Sequence, residues 1–407
     1  MLPKARFISC VLGLSLTVTL AGCRTEPPEP AKPLAGSFAE KDAAESKLPL
    51  RMLDPDSLRN MSTLLAGMIA GEDLDEVDPV WAEHARFMDE AWTEIDRRLE
   101  RMHRWAATQG VAAEDPTAPL LYPFGGPDLI SALQFFPDAS SYLLIGLEAP
   151  GHMPDPESFS AEILSVDLKR LRKPFNSFVD HGYFVRNEID KDLSGGHFDG
   201  VLPIILICLV RSGQVPLSLE YIEIDPETYA IQPAGRESET TRAVVVRFVD
   251  AADAAAGAEL GTLEPRAVYY FAQDLSNNGL FSDEPFSRLV QRQKAINVYM
   301  KSAEYLLHTD DFSTFRKLLL KKASTILQDD SGIPVRFLTS DTWDLRLFGR
   351  YSSVLAAYSH WLQDDLVAAY ANGKSIGELD FTLGYSSKTD GGNLILGVRK
   401  DATEPSS

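Results

Sequence analysis

Cysteine is scarce in this chain, with three residues among 407, at positions 10, 23 and 208. Two of them fall in the N-terminal 23 residues, so Cys208 stands alone in the remainder. A single cysteine cannot form an intramolecular disulfide, so a packed core must stabilise the rest of the chain. Cys208 lies in an apolar run, and we predict a small, buried side chain there.

Long hydrophobic runs are also missing. The longest apolar run, residues 7–20, has 14 residues, whereas a membrane-spanning helix needs about 20. A second run, residues 201–210, has ten residues and contains Pro203. Its length predicts a buried core element.

Basic charge is low relative to acidic charge. The chain has 39 Lys and Arg against 59 Asp and Glu, a net charge of −20. Such a chain is not attracted to nucleic acid or to an anionic lipid surface, so we expect no nucleic-acid partner. The P-loop and complete S-x-x-K signatures are missing as well, which counts against β-lactamase-type hydrolases but not against every hydrolase.

The N-terminus carries the most specific pattern of the sequence. Two basic residues, Lys4 and Arg6, precede the apolar run, which ends in Leu20-Ala21-Gly22-Cys23. A basic start, an apolar stretch and small residues make a secretory signal segment. With a cysteine directly after Leu-Ala-Gly, the segment resembles bacterial lipoprotein precursors.

This resemblance implies that residues 1–22 are a signal peptide and that Cys23 becomes the acylated first residue. Several acyl chains, palmitate among them, would then anchor the protein in the membrane. Arg24 stands where inner-membrane lipoproteins usually have Asp, so the resemblance favours the outer membrane if the host has one. Removal of Lys4 and Arg6 changes the net charge from −20 to −22.

Composition divides the mature chain into segments. Residues 23–47 comprise Cys23 and a stretch rich in Pro, Ala, Glu, Lys and Ser, which predicts a disordered tether. We expect a helical portion at 48–115, an α/β domain at 116–400 and a flexible tail at 401–407. In the helical portion, apolar and aromatic residues from Trp81 to Trp105 recur mostly every three or four positions, a stripe more typical of packing than of partner binding.

Hydrophobic periodicity downstream predicts a mixed α/β fold, a mixed sheet with flanking helices. We expect strands at 120–124, 142–147, 217–224, 241–249 and 267–273, where Val, Ile, Leu and Tyr are enriched. A short helix is predicted at 128–136 and longer ones within 156–210 and at 286–307, 312–327 and 352–371. A C-terminal hairpin of 379–383 with 394–398 completes the prediction.

The segment from Tyr122 to Asp128, which reads Tyr-Pro-Phe-Gly-Gly-Pro-Asp, lies between a predicted strand and helix. The following strand ends at Glu148. This order resembles the first β-α-β unit of Rossmann-type and S-adenosylmethionine-dependent methyltransferase folds. The resemblance implies ligand binding by Gly125, Gly126, Asp128 and Glu148. The third glycine of G-x-G-x-x-G is missing, so a tight turn inside a sheet is the alternative.

Two further clusters are weaker candidates. His197 and Asp199 lie on a Gly-rich loop and could meet at a metal or a proton, or Asp199 could simply cap a helix. Asp329 and Asp330, beside Ser331 and Gly332, could bind Ca²⁺ or act as an acid/base pair, but such turns normally bond their own backbone.

Glu304 and His308 are four residues apart within a predicted helix and would share its face as a metal pair or a surface contact. No third ligand accompanies them, so we assign no metal, and the sequence leaves any cofactor unknown. The segment 122–128 and the Asp-Asp-Ser-Gly-Ile-Pro run also resemble parts of other bacterial lipoproteins, a resemblance that implies no activity.

Three functions remain open. The first is an envelope-anchored lipoprotein that binds a partner protein or a small ligand, and we favour it because a complete catalytic signature is missing. The second is an exported hydrolase that uses carboxylates near Asp128, Glu148 or Asp329–Asp330. The third is a degenerate Rossmann-like fold. If the protein is a hydrolase, these acids would face one pocket. If it is a degenerate Rossmann-like fold, side chains would fill the ligand crevice.

Overall fold

The computed structural model describes residues 54–69, 78–153, 160–184, 189, 191–193, 197–234, 242–255, 263–373, 376–385 and 392–400. All of them lie in one compact unit, Leu48–Ser407. The predicted signal peptide, lipidation site, tether and C-terminal tail fall outside the described residues.

A single sheet runs through the described part of the chain. Its spatial order is β4-β3-β5-β6-β2-β1-β7-β8-β10-β9. The strands are β1 Leu120–Tyr122, β2 Ser141–Gly146, β3 Gln214–Ile224, β4 Ile231–Pro233, β5 Ala243–Asp250, β6 Arg266–Ala272, β7 Ile296–Met300, β8 Ala323–Gln328, β9 Trp343–Gly349 and β10 Asn393–Arg399.

The centre of the sheet is parallel and its flanks are antiparallel. Strands β6, β2, β1, β7 and β8 run parallel to one another. Numbered along the chain, these five have the order 3-2-1-4-5, which is the order of the Rossmann fold. On one side β5, β3 and β4 continue the sheet antiparallel, and on the other β10 and then β9 do so. The predicted mixed α/β class is confirmed.

Helices cover both faces of this sheet. Two hydrophobic clusters, one on each side, share the strand residues alternately, as expected for a sheet buried on both faces. The helices are α1 Pro55–Leu65, α2 Pro79–Gln109, α3 Leu129–Phe135, α4 Ala161–His181, α5 Leu202–Arg211, α6 Ala251–Ala255, α7 Asn277–Ser282, α8 Glu284–Arg292, α9 Ser313–Lys322 and α10 Asp364–Asn372.

The aromatic stripe of α2 packs on its own domain. Trp92 and Trp105 are buried, and the ring of Trp105 contacts Phe135, Phe348 and Phe381 with centroid distances of 5.9, 4.8 and 5.8 Å. Most of residues 201–210 become helix α5, which begins at Leu202 with Pro203 in its first turn and is buried from Leu202 to Leu209. Cys208 is buried there without exposure. The predictions for the stripe, the core element and Cys208 are confirmed.

Two predicted helices are wrong in their second halves. The helix at 286–307 ends at Arg292, and β7 follows it. The helix at 312–327 ends at Lys322, where β8 begins without a loop. Both strands are short segments of five or six residues that are buried almost throughout, and periodicity cannot distinguish such a segment from buried helix. The long helix at 352–371 is also replaced, by a 3₁₀ helix at Ala356–Trp361 and by α10.

The predicted C-terminal hairpin is wrong in its first strand, 379–383. Residues 379–383 are not a strand, and β10 pairs antiparallel with β8 and β9 instead. The side chains of Phe381 and Leu383 are buried in the core beside α2. These two side chains therefore serve core packing, and the sequence pattern did not distinguish core packing from strand pairing. No helix in the described residues has the length and apolarity to cross a membrane.

Candidate functional site

A cavity of about 470 Å³ lies at the carboxyl edge of the parallel strands. The residues that follow β1, β2, β6 and β7 line it. Strand β1 stands between β2 and β7, so the chain leaves β1 toward one side and later returns on the other. A crevice forms at such a switch point, and open α/β sheets bind ligands there.

The turn after β1 forms one wall of this cavity. Gly125 packs against Tyr122 so closely that a Cβ atom would lie 2.5 Å from its ring. Gly126 has φ +54°, and its nearest neighbour would be the Glu148 carboxylate, 3.8 Å from a Cβ atom. The turn therefore needs glycine at 125 for space and favours it at 126 for its left-handed backbone.

Asp128 caps helix α3 and is bound on several sides. Its carboxylate accepts hydrogen bonds from the Tyr122 hydroxyl at 2.8 Å and from the backbone N–H of Ser131 at 3.4 Å. It also forms an ion pair with Lys301, whose Nζ lies 2.7 Å from Oδ2. Asp128 and Lys301 are 2% exposed. This carboxylate therefore holds the cavity wall together.

Lys301, the first residue after β7, is held from three directions. Besides Asp128, its ammonium group donates to the Gly182 carbonyl and lies 5.3 Å from the centre of the Phe178 ring. Burial lowers the pKa of Lys301, while the Asp128 carboxylate opposes that shift. The sequence pattern predicts a helix at 286–307 and therefore did not reveal Lys301 as a residue at the edge of the sheet.

Glu148 follows β2 and lines the same cavity as Asp128. Its Oε2 accepts hydrogen bonds from the Leu147 backbone N–H at 3.0 Å and the Tyr270 hydroxyl at 3.4 Å. Asp274 and Glu304 add two carboxylates to the wall. Lys301 neutralises Asp128, and among the described lining residues the other three carboxylates stand beside one further basic side chain, that of His181, so the described lining carries more acidic than basic groups.

Strained backbone concentrates at this edge of the sheet. Ser302, Glu304 and Tyr305 have φ values of 52°, 51° and 56°, and Phe124 has 63°. Such left-handed conformations cost about 1–3 kcal/mol each in non-glycine residues and cluster at functional sites. The segment after β7 therefore persists only because its surroundings hold it.

The turn after β8 supplies that support. Asp329 Oδ2 accepts the backbone N–H of Ser302 at 2.9 Å, and the Ser331 hydroxyl oxygen accepts that of Ala303 at 2.7 Å. Asp330 accepts the hydroxyl proton of Tyr305 at 2.5 Å. We call Asp329, Asp330 and Ser331 the acidic brace.

The acidic brace lies behind the cavity wall, and its residues are at most 5% exposed. Asp329 and Asp330 are thus adjacent to the cavity but are not among its lining residues. Burial raises the pKa of Asp329 to about 7, and the neighbouring Asp330 carboxylate adds to the shift. Asp128 and Glu148 share the cavity surface, and Asp329 and Asp330 position its backbone.

Three tyrosines form an aromatic wall of the same cavity. Tyr183, Tyr358 and Tyr385 line the cavity and come from the end of α4, the 3₁₀ helix at Ala356–Trp361 and the segment 376–385. Three distant segments carry these tyrosines, and no local motif links them. Sequence spacing had no signal that could have found them.

His197 and Asp199 do not converge on one point. The ring Nδ1 of His197 lies 3.0 Å from Asp167, whereas Asp199 accepts the backbone N–H of His152 at 2.8 Å. Asp199 is not the cap of α5, whose N-cap is Val201. The two residues make separate links between loops and helices.

Glu304 and His308 do not share a helix face, because the chain after β7 is not α-helical. Glu304 is exposed at the cavity. His308 is buried against the Tyr305 ring, with centroids 5.1 Å apart, and burial lowers the pKa of His308 to about 4. The predicted pair is wrong because the helix is absent.

No group of three or more His, Cys, Asp and Glu side chains within the described ranges is arranged to hold a metal ion. Comparison of the chain with protein-family models, with curated proteins and with solved structures finds no match. The geometry of the cavity is therefore the basis for a functional proposal.

Proposed function

We propose that this protein is an envelope lipoprotein, anchored through Cys23, whose carboxyl-edge cavity binds a small ligand without phosphate groups. The observation that carries the proposal is the position of the cavity at the switch point between β2, β1 and β7. A volume of about 470 Å³ lies in the range of small-molecule sites, about 300–1,000 Å³.

The strained segment after β7 supports binding. Two of its left-handed residues, Ser302 and Glu304, line the cavity, and the buried acidic brace bonds Ser302 and both chain neighbours of Glu304. A fold that served only stability would gain free energy by relaxing these residues. Their arrangement is that of a preorganised binding wall.

The charge distribution argues against phosphate. In Rossmann-type sites the helix after β1 directs free N–H groups toward a pyrophosphate. Here the Asp128 carboxylate already lies at the start of α3 and accepts the Ser131 N–H. With Glu148, Asp274 and Glu304 also in the wall, an anionic ligand would be repelled, so we expect a neutral or cationic one.

The topology agrees with the resemblance found in the sequence. The parallel core has the Rossmann order, and the antiparallel β10 lies between β8 and β9. The Asp128–Lys301 pair occupies the wall where those folds hold their cofactor. We therefore propose a modified ligand site on this topology.

Native mass spectrometry of the full chain, purified from its host in a mild non-ionic detergent, tests the proposal. The variant is Gly126→Asn, because asparagine tolerates left-handed backbone and its side chain would extend into the cavity. Gly213→Asn is the matched control, since Gly213 has φ +74° and nothing within 4 Å of a Cβ atom.

We expect a retained small molecule in the wild type and in Gly213→Asn, and its loss from Gly126→Asn. The same bound mass in both variants would place the ligand elsewhere and reject the cavity. A retained nucleotide or other phosphorylated compound would reject the charge argument. A wild type without any bound mass, under conditions that keep a reference ligand–protein complex intact, would count against binding itself.

A further inference from the structure

The aromatic wall of the cavity has a defined shape. The Tyr183 and Tyr385 rings are nearly perpendicular, at 82° with centroids 5.3 Å apart. The Tyr358 ring lies 5.1 Å from that of Tyr385 at 33°. The three rings therefore form a corner with two walls, and we call it the tyrosine corner.

Hydrogen bonds fix this corner to the strained segment after β7. The Tyr385 hydroxyl donates to the Ser302 carbonyl at 3.2 Å and lies 3.4 Å from the Tyr358 hydroxyl. Because the acidic brace holds Ser302, the orientation of Tyr385 depends on the same support as the cavity backbone. The corner is preorganised before any ligand arrives.

The electrostatic environment of the corner is negative. Burial raises the pKa of Tyr358 and of Tyr385, and the nearby Glu304 carboxylate raises both further. Both phenols therefore stay neutral at physiological pH and keep the ordinary aromatic quadrupole, which is negative over the ring face. Glu304 lines the cavity with them.

Resting on the cavity-binding function proposed above, we infer that the tyrosine corner and Glu304 bind the alkylated ammonium group of a small organic cation. The faces of aromatic rings recognise quaternary ammonium ions, and the Glu304 carboxylate in the same cavity lining supplies the opposite charge. Alkyl groups on the nitrogen would pack against the rings, whereas a bare ammonium group would lose strong hydration. The acidic wall adds attraction for the positive charge.

Calorimetric titration of the full chain in non-ionic detergent tests this inference with choline as the probe. The neutral isostere 3,3-dimethylbutan-1-ol has the same shape without the charge. We expect choline to bind at least about tenfold more tightly, because cation–π attraction in a desolvated site contributes this much or more. Equal binding of the two compounds would overturn the inference.

The variant pair Tyr183→Leu and Tyr183→Phe separates the ring face from the hydroxyl group. Tyr183 is half-buried, so both changes are tolerable for folding. We expect choline to bind about 5- to 30-fold more weakly to Tyr183→Leu and nearly unchanged to Tyr183→Phe. Gly213→Asn is again the control and should bind choline as the wild type does. Equal loss in both Tyr183 variants would indicate hydrogen bonding and overturn the ring-face argument.

Two further measurements identify the source of the ligand and distinguish a failure of this inference from a failure of the proposed cavity-binding function. Phosphocholine represents a lipid headgroup, and choline represents the free cation. Because the cavity wall is acidic, we expect choline to bind more tightly than phosphocholine. A retained native ligand that is lost from Gly126→Asn but lacks a cationic nitrogen, such as a sugar, would overturn the tyrosine corner as a cation site. Cavity binding would stand in that case.

Discussion

At the scale of single residues, the buried ion pair between Asp128 and Lys301 stabilises the cavity wall. The ion pair of Asp128 with Lys301 is shielded from water, so each charge depends on the other. Removing one partner of a buried pair leaves an uncompensated charge, which is far more costly than removing both. This asymmetry gives the pair a measurable signature.

Lys301→Met should lower the free energy of unfolding by roughly 3–5 kcal/mol, because Asp128 would stay buried without its cation. The double variant Asp128→Asn, Lys301→Met should recover part of this loss. Urea denaturation of both variants measures the difference. Arg97→Ala is the control, since it breaks an exposed pair with Glu94 and should change little. A double variant that loses the sum of two single losses would contradict the prediction.

Asp329 predicts a pH dependence. Burial raises the pKa of its carboxyl group to about 7 from 3.8, so between these values the native state holds a proton that the unfolded state has released. Stability from this group therefore falls as pH rises from about 4 to 7, by up to about 1.4 kcal/mol per unit. Asp329→Asn should reduce this slope in denaturation series.

The exposed Asp341 offers the matched control, and Asp341→Asn should leave the slope as it is. If Asp329→Asn retained the full slope between pH 4 and 7, Asp329 would not be the titrating group. The same series would then point to Asp330, whose pKa burial also raises.

At the scale of elements, the structure separates what periodicity can and cannot tell. The long amphipathic helix α2 and the strands β2, β3, β5 and β6 have clear patterns, and the sequence predicts them within a few residues. Strands β7 and β8 were not predicted because each follows a helix within a few residues and is buried on both faces. Because these two strands were assigned to helices, the carboxyl ends of two of the five parallel strands were not predicted, and Lys301 was missed with them.

The stripe on α2 allows a test at this scale. Trp105→Ala should lower the free energy of unfolding by about 3–5 kcal/mol, the usual cost of removing a buried aromatic side chain. Trp81→Ala, at a half-buried position of the same helix, should cost less. Urea denaturation with an unchanged slope in denaturant measures both. Equal losses would mean that α2 packs differently from the structure.

At the scale of the whole molecule, sequence and structure inform different parts. The sequence predicted the α/β class, the turn at 122–128 and Glu148 at the end of its strand. The tyrosine corner could not be predicted from the sequence, because its three segments, about 200 residues apart at most, meet only after folding. The lipid anchor rests on the N-terminal motif alone.

Cys23→Ser tests the anchor. The wild type should sediment with membranes and carry a mass increase from its acyl chains, and the variant should do neither, because lipidation requires the thiol. Cell fractionation with intact-mass measurement distinguishes the two. Cys10→Ser, which changes the other cysteine of the N-terminal segment, should leave the fractionation unchanged. A Cys23→Ser protein that still carries acyl chains would show another attachment site.

The central strand also imposes an order on assembly. Leu120 pairs with Tyr142 on one side and with Asn297 on the other, so half of the sheet around β1 can form early and the other half only after a long loop closes. Pairings between distant segments are slow to form. Since Tyr385 comes later still, a chain interrupted before residue 385 would lack the last wall of the cavity. Ligand binding would therefore report that folding has run to its end, making it a stricter test of the native state than secondary-structure content.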